Sequence, residues 1–308
     1  MRVTQNTTAN NTIYNLQQAA AKINQLTDLT ASGQNINKPS DDPIASKLLV
    51  DVGDKLKLAD QYDSNMSKAT TWLNYTSTVL TGMSDIINQV SKVAGTVNSG
   101  STDPTLRQSV HDQLVDLKSQ LVDMANTQYG DQYIFGGAKN TTPPFDITSP
   151  TNAYSGDSTQ IGIEINQNST ISLNITGDRL LKGTGSSPSY GSTDILATLD
   201  SLIKAVGDSS TASDVGGIST SIIGLQDGTK QLNNATSDIL SRTTRLSNMT
   251  TLNANIKNMF SSIVSNVQTV DYNKLGIELS QQQTAYSAAL ASTAKVQGLS
   301  LLNYLPIG

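Results

Sequence analysis

Cysteine is absent from the 308-residue sequence, which excludes disulfides, thiolate nucleophiles and zinc–thiolate sites. Charge is scarce as well: Asp, Glu, Lys and Arg make up 15% of the chain against roughly 25% in an ordinary globular protein, with Ser, Thr, Asn and Gln in their place. Twenty basic and twenty-five acidic residues give a net charge of -5 with no dense basic run, so nucleic acid is not an expected partner and proteins are. No apolar stretch approaches the roughly 18 residues of a membrane span, and Met1-Arg2-Val3-Thr4-Gln5-Asn6-Thr7-Thr8 lacks the apolar core of a secretory signal. The expectation is no membrane partner and, for a chain that leaves the cell, export without a cleaved signal peptide. One Trp and three Phe leave few large aromatic anchors, so a core must be built from Leu, Ile and Val along helices, which favours long bundles.

What is present is helical spacing. Ile13, Leu16, Ala20, Ile23, Leu26 and Leu29 recur at intervals of three and four up to Ser32-Gly33, an amphipathic helix with glycine past its end. Its only charges are Arg2, Lys22 and Asp28, so the opposite face is amide and hydroxyl, and such a helix alone in water is marginal. After the turn Gln34 to Asp41, Pro43 fits the first helical position and Asp42 its N-cap, the carboxylate facing free amides and the positive dipole end.

From Leu49 the stripe continues through Val52, Leu56, Ala59, Tyr62, Met66, Ala69, Leu73, Leu80, Met83, Ile87, Val90 and Ala94 to Val97, broken only by Thr76. This predicts one helix on the order of 80 Å long with a coiled-coil seam, in need of a partner of similar length. A glycine stop and Asp103-Pro104 repeat the earlier device, and the next helix, reaching about Tyr129, should run antiparallel because the connection is short.

Helical spacing disappears between Gly130 and Gly191. Ile161, Ile163 and Ile165, then Ile171, Leu173 and Ile175, alternate with polar residues around Gln167-Asn168-Ser169, a β-hairpin pattern. A helix through Leu199 and Leu202 then stops at Gly207, and after Gly216-Gly217 a second long stripe runs from Ile218 to Val267, supplying the partner the first long helix needs. The last segment is apolar at Leu275, Leu279, Tyr286, Leu290, Val296, Leu299 and Leu302, with Lys295 its only side-chain charge beyond Leu279. The expected fold is mainly α: an elongated antiparallel long-helix bundle or coiled coil formed by the N- and C-terminal regions, with a small β-rich insertion. The expected division is residues 1–40 with 270–308 as terminal helices, 41–135 with 192–269 as the bundle, and 136–191 as the insertion.

Two thin, weakly charged helices bury too little as a pair, so both should be loose in the isolated chain and ordered by neighbours on assembly. The candidate assembly interface is therefore Ile13, Leu16, Ala20, Ile23, Leu26 and Leu29 with Leu275, Leu279, Tyr286, Leu290, Val296, Leu299 and Leu302.

Leu29-Thr30-Ala31-Ser32-Gly33-Gln34-Asn35-Ile36 leading to Asp41-Asp42-Pro43 resembles the N-terminal signature of the flagellin superfamily. The start Met1 to Thr4, Tyr133-Ile134-Phe135-Gly136-Gly137 with Pro143-Pro144-Phe145, and the ending Leu299 to Leu305 are similar to the hook-associated, hook-filament junction members of that superfamily. The resemblance implies a secreted structural protein of the bacterial flagellum in motility, exported by the flagellar type III apparatus with an export chaperone. It also implies self-association in an axial ring between a second hook-associated protein and flagellin.

Chemical readings of single residues are weaker than their structural ones. His111 beside Asp112 has no nucleophile or pocket to serve, Asp41 and Asp42 lack further oxygen donors for a metal, and Gly183 to Pro188 lacks the Lys-Ser/Thr ending of a phosphate loop. Neither catalytic residue nor metal or other cofactor is expected. The alternatives to a junction protein are a filament-forming flagellin and, from another class, a secreted coiled-coil adhesin or an enzyme domain on a stalk.

Overall fold

The computed structural model describes residues 5–98, 103–146, 152–184, 189–207 and 213–302, with side chains from 10 to 295 within those spans. The described chain is mainly α, with seven helices and two small antiparallel sheets: α1 Gln5–Ser32, α2 Pro43–Gly95, α3 Pro104–Ala125, β1 Gln128–Tyr129, β2 Gln132–Tyr133, β3 Gly162–Asn166, β4 Ser169–Ser172, α4 Gly177–Leu180, α5 Ile195–Val206, α6 Val215–Gln268 and α7 Tyr272–Leu302. The chain divides into two compact units, 1–58 with 255–308, and 59–254.

The larger unit, 59–254, holds the core. Every third or fourth residue of α2, from Met66 through Leu73, Leu80, Met83 and Ile87 to Val90, is fully buried. These pack in one cluster with Leu114 and Leu121 of α3, Leu199 and Leu202 of α5, and Ile218, Leu225, Leu232, Ile239 and Leu246 of α6. Within this unit α2 and α6 are antiparallel: Asn253 Nδ2 donates to Ala59 O at 2.8 Å near one end, and Ser219 Oγ to Asn98 Oδ1 at 3.2 Å near the other. Thr76, the one polar step in the stripe, is fully buried and tolerated because its hydroxyl donates to Trp72 O at 2.9 Å, four residues back.

Two boundaries differ from those expected of the sequence, for identifiable reasons. Helix α3 ends at Ala125 instead of about Tyr129. Asn126 turns away to pair with the backbone of Phe145, Nδ2 donating to its carbonyl at 2.8 Å and Oδ1 accepting from its amide at 3.0 Å, which draws the chain out of the helix into the short β1–β2 hairpin. Helix α6 begins before Gly216-Gly217, at Val215. A Cβ on Gly217 would lie 3.0 Å from that of Ala205, so the glycine lets the new helix start against α5.

The hairpin β3–β4 has Ile163 opposite Ile171, as the alternation predicts, with Ile165, Ile171 and Ile175 buried in the main cluster. One face of α6 clasps this region through its backbone. Gln231 Nε2 donates to Leu180 O and Thr193 O, Asn234 Nδ2 to Tyr190 O, and Arg242 Nη1 to Ser172 O and Asn174 O. The spacing of these residues, three then eight, keeps them on one side of the helix.

Candidate assembly interface

The unit formed by 1–58 and 255–308 is built differently. Helix α1 ends at Gly33, which adopts φ +67° and donates its amide to Leu29 O at 3.0 Å, closing the last turn. The chain then makes a short antiparallel bridge in which Asn35 N donates to Gln268 O at 2.6 Å and Val270 N to Gly33 O at 3.3 Å. Asp271 starts α7 as its cap, accepting from the amides of Asn273 at 2.9 Å and Lys274 at 3.2 Å. The end of α1 and the start of α7 are thus tied together, and the two helices run back antiparallel.

Where they meet, Leu26, Val270 and Leu275 are buried with Leu29 and Leu279 packed against them. Farther along, Leu16, Ala20, Ile23, Tyr286 and Ala289 are only half-buried, while Ile13 and Leu290 are exposed at 46% and 45%. Of the thirteen residues expected at the interface, ten therefore have described surroundings, spanning buried to exposed; the side chains of Val296, Leu299 and Leu302 lie outside the described residues, although α7 carries their backbone. Val270 of this small core, and Ile36, which is also buried, were not singled out by periodicity because they sit in connections, outside any helical stripe.

Below this core the turn before α2 is held by its two acids in separate roles. Asp42 Oδ1 accepts from Ile44 N and Ala45 N, both at 3.0 Å, as the helix cap, and Asp41 Oδ2 accepts from Asn37 N at 3.2 Å and Lys38 N at 2.9 Å. Both carboxylates are engaged with backbone. A shallow cleft of roughly 500 Å³ lies here, lined by Lys22, Gln25, Asp41, Asp271, Lys274 and Glu278 over the Leu26–Leu275 contact. It mixes both charge signs and holds no convergent set of acid, base and nucleophile among the described residues. His111, in the other unit, is half-buried with Nδ1 3.3 Å from Asp112 Oδ1. Most of the segment that resembles a phosphate loop, 185–188, lies outside the described residues.

The balance of burial among the described residues separates the two units. In the unit 1–58 with 255–308, five apolar side chains are buried (Leu26, Ile36, Val52, Val270 and Leu275) while ten large apolar ones are exposed, among them Ile13, Tyr14, Ile44, Val50, Tyr272 and Ile277. In 59–254 the proportion reverses, with thirty-nine buried and eight exposed. A monomer surface rarely keeps large apolar side chains in such excess unless something covers them.

The chain is similar to flagellar proteins in sequence and in fold. Residues 3–140 match the family model of the bacterial flagellin N-terminal helical region. Flagellar hook-associated protein 3 of Escherichia coli K12 is 25% identical over 285 residues, covering 88% of this chain and 89% of that one. A flagellar hook-associated protein structure from Vibrio parahaemolyticus superposes with a TM-score of 0.66 at 20% identity, over 74% of this chain and 100% of that one. Hook-associated protein 3 of Legionella pneumophila gives 0.61 at 13% identity, over 70% and 98%. The flagellin model thus covers the N-terminal part of the chain, and the similarity to a hook-associated relative extends along nearly nine tenths of its length.

Proposed function

We propose that the chain is a structural subunit of the bacterial flagellum at the junction of hook and filament, acting by packing and not by catalysis. The observation that carries this reading is the inverted burial of 1–58 with 255–308, where, among the described residues, exposed large apolar ones outnumber buried ones two to one. Copies arranged around an axis supply the missing cover: α1 and α7 bury their flanks against the same helices of neighbours, through heterologous contacts that extend along the axis instead of closing as a dimer. Of the stripe residues, Ile13, Leu16, Ala20, Ile23, Tyr286 and Leu290, left half-buried or exposed within one chain, face that interface, while Leu26 and Leu275 hold the two helices together behind it. A second hook-associated protein on one side and flagellin on the other complete the contacts, and the subunit reaches this extracellular site through the flagellar export apparatus with a chaperone.

The test is assembly and digestion of the purified full chain. It should remain monomeric, lose about 35 to 45 residues from each end under limited proteolysis, and fail to grow filaments when seeded. Growth of long filaments on seeds would assign it to the filament instead, and stable trimers would favour an adhesin; either result removes the junction role.

A further inference from the structure

The hairpin β3–β4 presents a hazard that its surroundings remove. The segment Thr170-Ile171-Ser172-Leu173-Asn174-Ile175, which spans most of β4 and the three residues after it, alternates β-branched and aliphatic residues with polar ones and contains no charge and no proline. Such six-residue segments template strand addition when their edges are open, and a two-stranded sheet has two edges. The danger is greatest in a protein that works at high local concentration of identical copies.

Both edges are stopped by side chains from the long helices. Leu173 N donates across the hairpin to Ile161 O at 2.8 Å, so the backbone groups of its neighbours Ser172 and Asn174 face away from the partner strand. Those two outward carbonyls are the ones that Arg242 Nη1 holds, at 2.9 and 3.2 Å. On the other edge, Asn65 Nδ2 of α2 donates to Glu164 O of β3 at 2.8 Å, beside the irregularity in pairing between Glu164 and Asn166. Arg242 is itself fixed: Nη2 pairs with Asp238 Oδ2 at 2.6 Å, and Tyr190 donates its hydroxyl proton to the same oxygen at 2.6 Å.

We propose that Asn65 and Arg242 are edge guards, which occupy the outward carbonyls of the β3–β4 hairpin so that a second copy of this chain cannot add a strand there. Assembly is thereby confined to helical surfaces. Arginine suits the task because one guanidinium bridges two carbonyls while its other nitrogen keeps an anion, a geometry that lysine lacks. The inference stands on the hairpin alone and is independent of where in the flagellum the chain acts.

The test uses the full-length chain with Asn65→Ala and Arg242→Ala combined. Wild type should stay monomeric by light scattering with background thioflavin T fluorescence. The double variant, its helical circular dichroism retained, should form concentration-dependent oligomers with at least a tenfold higher thioflavin signal. Adding Ser172→Pro, which deletes an outward N–H and no hairpin bond, should return it to monomer. A double variant as monomeric as wild type overturns the proposal, and so does aggregation that Ser172→Pro leaves unchanged. Should the double variant lose its helical signal, Arg242→Lys decides on the same readings: it keeps the charge beside Asp238 but reaches one carbonyl at most, so it should oligomerise, and a monomeric Arg242→Lys overturns the proposal.

Discussion

A Cβ placed on Gly33 would stand 2.6 Å from the hydroxyl oxygen of Tyr272, and Gly33 itself has φ +67°. The residue that ends α1 is thus also the residue against which α7 begins. Its missing side chain serves the turn and the junction at once. Gly33→Ala should cost about 1–2 kcal/mol through the left-handed backbone alone, since the Tyr272 ring is exposed and can swing aside. The amides of Asn35 and Val270, which bond across this junction, should then exchange about tenfold faster. Tyr272→Ala added to Gly33→Ala should not restore the slow exchange; full restoration would show that crowding, not backbone strain, is what glycine avoids.

The start of α2 offers a second test. Asp42 caps two amides with one carboxylate oxygen, and replacing such a cap by alanine typically loses about 1 kcal/mol. Asp42→Ala should fray the first turn around Ile44 to Ser46, seen as faster amide exchange there, while Asp42→Ser should retain most of the protection. Asp41→Ala should act elsewhere, on the amides of Asn37 and Lys38. Equal effects of both variants on Ile44 would refute the separate roles.

These caps were legible in the sequence because Asp-Pro at 42–43 and 103–104 states a local rule that tertiary structure has no reason to override, and Asp103 does accept from Thr105 N at 2.9 Å. The long stripes of α2 and α6 were equally legible, since a core seam repeats for as long as the helix does. Asn234 and Arg242 were not. Each sits at a polar position between apolar steps, and nothing in its neighbours on the chain says that Tyr190 O or Ser172 O will stand opposite after folding. The same holds for Val270 at the candidate interface. Its burial depends on a bridge to Gly33 across more than two hundred residues. Asp271 could have been found as a cap, but no proline comes after it to mark the start.

A pH dependence arises in the loop at Asp157. Desolvation is the largest single influence and favours the protonated carboxyl, but the hydrogen bonds from the amides of Ala138 at 2.7 Å and Thr159 at 3.1 Å, a further one from the Thr159 side chain and the charge of Lys139 together outweigh it, so its pKa is lowered from 3.8. A carboxyl lowered in the folded state stabilises the fold at pH above its unfolded value, and that contribution disappears as pH falls through the lower folded value. The site has little room for change: Gly137 has φ +70°, and a Cβ there would overlap Asp157. Acid titration should therefore weaken protection of the Ala138 and Thr159 amides below about pH 4, and Asp157→Asn should abolish that step while leaving the helices untouched. A step that persists in Asp157→Asn would belong to another group.

The contrast between Leu80 and Ile277 tests the division of labour most directly. Leu80 is fully buried on α2, and Leu80→Ala should destabilise 59–254 by about 2–5 kcal/mol, visible as a lower denaturant midpoint by Trp72 fluorescence. Ile277 on α7 is 61% exposed, so Ile277→Asp should shift that midpoint by no more than about 0.5 kcal/mol. If neighbours cover this flank in the assembly, however, a carboxylate there is desolvated without a partner. Swimming should then be lost in a strain whose own copy is replaced by Ile277→Asp, with monomeric protein still produced and exported, whereas Ile277→Val should swim normally. A motile Ile277→Asp strain would place this flank in solvent and remove α7's outer face from the interface.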